Sequence, residues 1–243
     1  MRDVVLAASH GTSSPEGRAA VRRLVEAVAA ALPVEVVGCH VDVEQPDVPS
    51  ALGAAARSGE ADRAVIVPLL LSAGYHVYVD LAQAAEASPL PTVVTAALGP
   101  DPRLVDALAD RLREAGHRPT DLVVLAAAGS SDARAVADCS RTADLLGARL
   151  DSAVSIGFIS SADPALPSAV KEARRLAAGA RVVVASYLLA PGFFASLARK
   201  SGADLVTAPL LTADSTPAGI VELVVERASL DRSLVDAASI HGA

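Results

Sequence analysis

The sequence predicts an α/β fold that is built twice, as two tandem domains that each contain a four-stranded parallel sheet flanked by helices. Short β-branched runs alternate with longer Ala- and Leu-rich runs of helical periodicity, which is typical of parallel sheets with helices on both faces. The sequence also repeats itself after a shift of 118 residues, so that Gly11 falls over Gly129 and Gly74 over Gly192. The chain is 52% hydrophobic but only 2% aromatic, which favours close helix-on-sheet layers built from Ala, Val and Leu.

The first half begins with a predicted strand over 4–8, followed by a helix. Ser14 provides the N-cap of that helix, Pro15 suits its first turn, and Glu16 complements the positive end of the helix dipole. The third strand contains Pro68, which removes a ladder donor and predicts an edge position or a bulge. The later predicted elements of this half are strands over 34–42, 64–71 and 92–97, and helices over 46–57, from about residue 78, and over 102–115.

The second half repeats this order after a linker over 116–120. We therefore predict an N-terminal domain over 1–117, which carries the site, and a C-terminal repeat of the same fold over 118–243. The residues from about 229 show no clear pattern and fit either a helix or a loose tail. The predicted strands of this half are 121–127, 153–159, 181–189 and 205–208, and the predicted helices are 133–146, 164–178, 194–201 and 216–228.

Composition narrows the classes of partner. The net charge of −7 argues against nucleic acid and against an acidic membrane surface. Cys39 and Cys139 lie far apart and fit no zinc or redox spacing, which is typical of free buried thiols in a cytosolic protein. The longest uncharged run, 182–198, is shorter than the roughly 20 residues of a membrane span and is broken by Pro191. Since strand-like residues begin at once after Met1, Arg2 and Asp3, we expect no signal peptide, no membrane partner and a cytoplasmic location.

Ionisable side chains follow three strands of the first half. His10 comes directly after the first strand, and His76 follows the third. Asp42 ends the second strand, and Glu44 lies two residues further on. Because ligands of parallel α/β sheets bind beyond the carboxyl ends of the strands, these side chains are predicted to meet at one rim. His40 shares a strand face with Asp42 and Glu44, but a packed or surface position suits it better.

The second half lacks these groups, so the chemistry is predicted to lie in the first half. Taken singly, each residue also has an ordinary structural explanation, as a turn residue, a helix cap or a solvated loop carboxylate. The positions that face each other at the shift of 118 are His10 and Ala128, Asp42 and Ser160, Glu44 and Ala162, and His76 and Phe194.

Two imidazoles and a carboxylate can bind a divalent first-row metal and leave coordination positions open. Neutral imidazole can also accept a proton near pH 7. A hydroxyl-rich loop before a helix favours a carboxylate or a phosphate, and each half supplies such a loop, with Arg134 close to the second. If the two rims face each other, they form a cleft with a metal-binding wall and an anion-binding wall. The hydroxyl-bearing residues are Ser9, Thr12, Ser13 and Ser14 in the first loop, and Ser130 and Ser131 in the second.

Three segments resemble a known family. They are Ser-His-Gly-Thr at 9–12, the helix opening between Pro46 and Pro49, and Leu-Leu-Leu-Ser-Ala-Gly-Tyr-His at 69–76. They are similar to the class II chelatases of the sirohydrochlorin type, in their long, internally duplicated form, and the similarity runs over nearly the whole chain. The resemblance implies two ferrochelatase-like domains with the tetrapyrrole in the cleft between them. It also implies insertion of a divalent metal into sirohydrochlorin, either Fe²⁺ to give siroheme or Co²⁺ for cobalamin.

The resemblance also implies roles for single residues. The metal-contacting histidines of the family fall on His10 and His76, and its acidic residue, often Glu, falls on Asp42, with Glu44 as second choice. On this hypothesis the histidines hold the metal and accept the pyrrole protons, while Asp42 balances charge and orients an imidazole. No cofactor is expected to be permanently bound, because the metal is a substrate. The residues predicted to contact the tetrapyrrole are Ser9, Thr12, Ser13, Ser72, Tyr75, Ser130 and Ser131.

Several alternatives stay open at this point. Iron is the favoured metal because no cobalamin-specific feature appears, and cobalt is the alternative. A non-catalytic tetrapyrrole or metal carrier would use the same histidines. A histidine-phosphatase-like phosphotransferase would want an Arg immediately before the His, where Ser9 stands. A monomer with a pseudo-two-fold axis is predicted, because the fused halves already supply both walls.

Overall fold

The computed structural model describes residues 2–72, 74, 76–177 and 179–240, and the side chains of these except at 76–78 and 230–240. Strands and helices alternate along the chain, as predicted. The strands are β1 Asp3–Ser9, β2 Glu35–His40, β3 Arg63–Pro68, β4 Thr92–Val94, β5 Leu122–Ala127, β6 Val154–Phe158, β7 Val182–Tyr187 and β8 Leu205–Val206. The helices are α1 Pro15–Ala31, α2 Val48–Ser58, a π-helix His76–Leu81 that leads into α3 Ala82–Glu86, α4 Pro102–Glu114, α5 Ala133–Leu150, α6 Leu166–Leu176, α7 Phe193–Ala198 and α8 Ala218–Ile240.

The described strands form two parallel sheets of four, in the orders β2-β1-β3-β4 and β6-β5-β7-β8. The two orders match, which confirms the predicted α/β fold with two tandem units. In the first sheet, Val5 of β1 pairs with Val36 of β2 on one side and with Val65 of β3 on the other. The carboxyl ends of these three strands therefore lie side by side at one edge of the sheet.

The edge position or bulge predicted from Pro68 is wrong. β3 lies between β1 and β4, and its register with β1 runs without interruption from Arg63 to Pro68. Pro68 is tolerated because it is the last residue of β3 and lies two residues beyond Ile66, the last residue paired with β4. The pairing with β4 has ended before Pro68, so the backbone N–H that proline lacks is not required for a hydrogen bond to that strand. The chain then continues along β1, where Leu69 N–H donates to Ala8 O at 2.8 Å.

Side chains alternate along the central strands between two cores. In β1, Val5 and Ala7 belong to a core that contains residues from both halves of the chain, whereas Val4 and Leu6 belong to an outer cluster of the first half alone. The second sheet alternates in the same way between the shared core and its own outer cluster. The inner faces of the two sheets are therefore buried in one shared core.

Helices exchanged between the halves fill this shared core. α4, which ends the first half, packs against α5 and β7 of the second half. α8, which ends the chain, packs back against α1, α4 and β3. Leu104 and Leu108 of α4, and Ile220 and Leu223 of α8, are completely buried there. Each sheet is thus covered on its inner face partly by a helix that the other half of the sequence supplies.

The C-terminal segment from about 229 is helical, since α8 runs from Ala218 to Ile240. It fits the first of the two alternatives that the sequence left open. Within the described ranges, neither α8 nor any other helix combines the length and the apolar composition needed to cross a membrane.

An ion pair stands at the amino-terminal end of each sheet. Arg63 Nη2 lies 2.8 Å from Asp3 Oδ2, and both side chains are almost fully buried. The second half repeats the pair at the same shift, with Arg181 Nη2 at 2.6 Å from Asp121 Oδ2. Hydrogen bonding from Arg181, supported by the N–H of Arg118, holds the pKa of Asp121 below its ordinary value against the opposing effect of burial.

We predict that Asp121→Asn lowers the melting temperature at pH 7 and that its difference from wild type shrinks in acid. The unfolded pKa of an Asp is about 3.9 and the folded pKa is lower. The carboxylate therefore stabilises the fold above about pH 4 and loses this contribution as the pH falls through its folded pKa. Thermal unfolding followed by circular dichroism across this range measures the effect. The exposed Asp151 provides the matched control, Asp151→Asn, and a pH-independent difference for Asp121→Asn would contradict the assignment.

Candidate active site between the two sheets

The loops that follow β1, β2 and β3 meet at one edge of the first sheet. Backbone pairing continues beyond the strands, because Val41 N–H donates to Ser9 O at 2.8 Å and Asp42 N–H donates to His10 O at 3.0 Å. His10 and Asp42 therefore occupy neighbouring positions at this edge. His76 begins the π-helix after β3.

Two predicted site groups fall outside the described residues: the side chain of His76, and the whole of Tyr75. Their roles stay predictions.

Gly11 fixes the shape of the loop that carries His10. Its φ is +92°, a conformation that favours glycine, and a Cβ built there would overlap the carbonyl oxygen of Asp42. Gly129 of the second half has the same φ and lies in the same way against the carbonyl oxygen of Ser160. The glycines that align in the repeat therefore serve one purpose, a close backbone approach between neighbouring loops at the edge of each sheet.

A cavity of about 640 Å³ lies between this edge and the matching edge of the second sheet. The two halves line it with equivalent segments, 9–13 and 69–72 from the first, and 127–131 and 187–195 from the second. The imidazole of His10 is exposed there. The predicted site residues found around this cavity are His10, Ser9, Thr12, Ser13, Ser72, Ser130 and Ser131.

Two reciprocal contacts join the halves beside the cavity. A Cβ built on Gly74 would lie 3.3 Å from the hydroxyl oxygen of Ser130, and a Cβ built on Gly192 would lie 3.1 Å from that of Thr12. Gly74 and Gly192 are equivalent in the repeat, as are Thr12 and Ser130. Each half therefore places a glycine, which has no side chain, against a hydroxyl of the other half.

Two buried side chains that line the cavity are kept neutral by burial. The Tyr187 hydroxyl donates to Leu71 O at 2.8 Å and so ties β7 to the loop after β3. Burial raises the pKa of Tyr187 above its ordinary value and raises the pKa of the Cys139 thiol to about 11. Cys139 is therefore a neutral thiol near pH 7, whereas a cysteine binds a metal as the deprotonated thiolate. Cys39 and Cys139 are both free and buried, as predicted.

The carboxylates of Asp42 and Glu44 have different surroundings. Glu44 is largely buried, its Oε1 accepts from Thr12 N–H at 2.7 Å, and its Oε2 lies 3.0 Å from Arg18 Nε. Asp42 is exposed, and its Oδ1 accepts from Val43 N–H at 2.7 Å. Glu44 thus holds the His10 loop to α1, whereas Asp42 stabilises only its own turn. Neither belongs to the described residues that line the cavity.

The described side chains do not by themselves form a metal site. No three His, Cys, Asp or Glu side chains among them come together in a way that could hold a metal ion. Because the side chain of His76 lies outside the described part of the chain, the predicted set of His10, His76 and Asp42 stays a prediction.

His40 lies beneath the loop that carries His10. Its Nδ1 is 2.9 Å from Ser9 Oγ and 3.8 Å from Glu44 Oε1. Of the two positions expected for His40, packed or at the surface, the structure shows the packed one, and its partner is the residue directly before His10. Arg134, which the sequence places beside the second hydroxyl-rich loop, pairs with Asp132 at 2.7 Å.

Part of the cavity wall consists of residues to which the sequence pattern assigned no function. Val43 and the pair Phe193 and Phe194 line the cavity and are exposed. The repeat contains a signal for the pair, because Phe193 falls over Tyr75 and Phe194 over His76. The alignment shows that the second half has no imidazole at the position equivalent to His76. It shows equally that a phenyl ring occupies that position.

Comparison with known proteins identifies the family. The sequence model of the CbiX family matches residues 4–115 and 122–198, which is most of the chain and falls on both repeats. The chain belongs to the CbiX family. The resemblance to class II chelatases of the sirohydrochlorin type is thereby confirmed. A search of the curated proteins finds no matching sequence.

Solved structures of the same fold agree with this membership. SirB from Bacillus subtilis with Fe³⁺ has a TM-score of 0.77 and 20% identity, over 93% of this chain and 94% of that one. The sirohydrochlorin chelatase SirB from Bacillus subtilis subspecies spizizenii, in complex with cobalt, has a TM-score of 0.72 and 18% identity, over 94% of both chains. CbiX, described as the terminal enzyme for siroheme biosynthesis in denitrifying bacteria, has a TM-score of 0.64 and 23% identity, over 92% of this chain and 98% of that one.

We predict that the two acidic residues of this CbiX-family chain differ in their effect on stability. Glu44→Ala should lower the free energy of unfolding by about 1–3 kcal/mol, because Thr12 N–H and Arg18 lose their acceptor. Asp42→Ala should stay within about 0.5 kcal/mol of wild type, because its side chain is exposed. Urea unfolding measures both variants, and a loss for Glu44→Ala as small as the one expected for Asp42→Ala would show that Glu44 does not hold the loop.

Proposed function

We propose that this chain is an enzyme that inserts a divalent metal ion into sirohydrochlorin. The observation that carries the proposal is that a CbiX-family chain places His10 in the wall of a cavity that both halves line, at the carboxyl ends of the strands. The related SirB structures hold Fe³⁺ or cobalt, and one of them is described as a sirohydrochlorin chelatase.

Metal insertion exchanges two pyrrole N–H protons for one M²⁺ ion, so the site needs proton acceptors and a grip that releases the ion. We assign both tasks to His10 and His76, because a neutral imidazole binds first-row metals and accepts protons near pH 7. Few protein ligands leave coordination positions free for the ring nitrogens. His10 suits this role because its ring is exposed in the cavity while its backbone is paired to Asp42.

We assign charge balance to Asp42 and keep Glu44 as the second choice. Both oxygens of Glu44 are engaged, one by Thr12 N–H and one by Arg18. Asp42 lies next to His10 along the continued strand pairing and is exposed. A carboxylate in that position compensates the charge of a bound cation or of a protonated imidazole.

The carboxylates of the substrate are assigned to the hydroxyl-rich loops. Ser13 and Ser131 are equivalent in the repeat, are exposed and line the cavity. Each lies just before a long helix, α1 or α5, whose amino-terminal end favours negative charge. Thr12 and Ser130 have a further structural task, because their hydroxyls accept from the N–H groups of Ser14 and Asp132.

We keep Fe²⁺ as the favoured metal and Co²⁺ as the alternative, since ligands of this kind accommodate both. A carrier without turnover is the second candidate function, because it needs the same cavity and the same histidine. We also propose that the enzyme is a monomer, since one chain supplies both walls of the cavity.

We predict that His10→Ala lowers kcat/KM for metallation of sirohydrochlorin by about a hundredfold or more, because both a metal ligand and a proton acceptor are lost. The measurement is the change in tetrapyrrole absorbance under anaerobic conditions, with Fe²⁺ and Co²⁺ in parallel. His117→Ala is the matched control, because His117 lies far from the cavity. The carbonyl of its neighbour Gly116 accepts from Arg181, which stands at the amino-terminal end of the second sheet, opposite to the end that carries the cavity.

The outcomes separate the candidate functions. Turnover by wild type and by the control, with loss in His10→Ala, supports the chelatase. Tetrapyrrole binding by wild type without any rate above the protein-free reaction supports the carrier instead. An unchanged rate in His10→Ala would remove His10 from the site.

A further inference from the structure

Large hydrophobic side chains are exposed at few places in the described part of the chain, and most of them surround one cavity. Four such side chains stand out, and Val43, Phe193 and Phe194 line the cavity between the halves. The fourth, Leu176, lies elsewhere, at the end of α6. Exposed apolar groups gathered in a concave site are typical of a ligand surface, whereas scattered ones are ordinary.

The chain uses aromatic residues sparingly, with three Phe and three Tyr in all. Phe158 and Tyr187 are buried, as their size favours. Phe193 and Phe194 are instead 69% and 37% exposed, next to each other at the start of α7, with ring centroids 6.1 Å apart and planes tilted by 40°. Both rings keep apolar surface accessible to water in the folded chain, and a ligand that covers them would bury that surface.

Val43 is held in a conformation that its side chain disfavours. Its φ is +66°, which is rare for a β-branched residue. The conformation persists because neighbouring backbone groups are paired: Asp42 N–H donates to His10 O, and Glu44 N–H donates to Asp42 O at 2.7 Å. Ser161, the counterpart in the second half, has a φ of +53°, so the loop shape is common to both halves while the exposed valine is particular to the first. Strain of this kind, with its side chain exposed, is a feature of functional sites.

We propose that Val43, Phe193 and Phe194 form an apolar contact surface that holds the flat, conjugated ring of the tetrapyrrole. The inference rests on the proposed function and adds to it the residues that hold the ring itself. The first half then supplies the metal-binding group, both halves supply hydroxyls for the carboxylates, and these three side chains contact the hydrocarbon part of the ligand.

The chemistry of the cavity favours this ligand over a protein partner. The three side chains share the cavity with His10 and with hydroxyl groups of both halves. A planar ring with an apolar face and a carboxylated edge matches that mixture. A stable protein interface needs a surface of roughly 800 Å² on each partner, with a continuous apolar centre. Three apolar side chains inside a cavity form a much smaller surface than that.

The test measures tetrapyrrole binding without metal, so that it does not depend on turnover. The probe is sirohydrochlorin, titrated under anaerobic conditions and followed by its absorbance. The variants are the double substitution Phe193→Ala with Phe194→Ala, the single substitution Val43→Asn, and the control Leu176→Ala, which removes an exposed apolar side chain away from the cavity. Melting temperatures are measured on the same samples.

We expect the double variant to raise Kd about tenfold or more, because two ring contacts are lost. Val43→Asn should weaken binding while raising the melting temperature, since Asn tolerates this φ better than Val. Leu176→Ala should change neither Kd nor the metallation rate. A gain in stability coupled to a loss of affinity is a result that damage to the fold cannot produce.

Three outcomes overturn the inference. If wild type binds and metallates sirohydrochlorin and the double variant keeps the same Kd, the contact surface is disproved while the proposed function stands. If light scattering shows a wild-type dimer that the double variant abolishes, with Kd unchanged, the aromatic pair is an interface between copies of the chain. If wild type binds no tetrapyrrole, the proposed function fails and the inference fails with it.

Discussion

The inner face of each sheet is covered partly by a helix from the other half of the chain, and the geometry of the cavity depends on this exchange. α4 packs on β7 of the second sheet, and α8 returns to β3 of the first. The inner faces of both sheets are buried in one shared core. Moving one half relative to the other would expose that core, so the same hydrophobic burial that folds the halves also sets the distance between their edges.

Much of this arrangement could be predicted from the sequence because it follows from local patterns. β-branched runs and helical periodicity identify the strands and helices, and the aligned glycines identify the repeat. Residues at the carboxyl ends of parallel strands converge, and this rule alone places His10 and Asp42 at one edge. The family resemblance assigns them a metal-binding role that strand geometry does not supply.

Other features depend on contacts between distant residues, which no local pattern contains. Amphipathic periodicity shows that α4 and α8 each bury one face, but it does not show which sheet that face packs against. Pro68 indicated an edge because the sequence does not show that β4 ends before reaching it. Glu44 reads as a loop carboxylate until Thr12 N–H and Arg18 are found against it.

The two halves share one backbone design and differ in what they attach to it. Gly11 and Gly129 make the same turn, and Val43 and Ser161 occupy the same left-handed position. Around this common frame the first half carries an imidazole, and the second half carries exposed phenyl rings. Duplication thus allowed the backbone to stay fixed while the two walls of one cavity acquired different chemistry.

The contacts of Gly74 with Ser130 and of Gly192 with Thr12 leave less than a methyl group of free space between the halves. Together with the hydrogen bond from Tyr187 to Leu71, they brace the cavity on both flanks. These contacts hold the two halves close together at the positions of the two glycines. A larger residue at either glycine would have to displace the facing hydroxyl or move one half relative to the other.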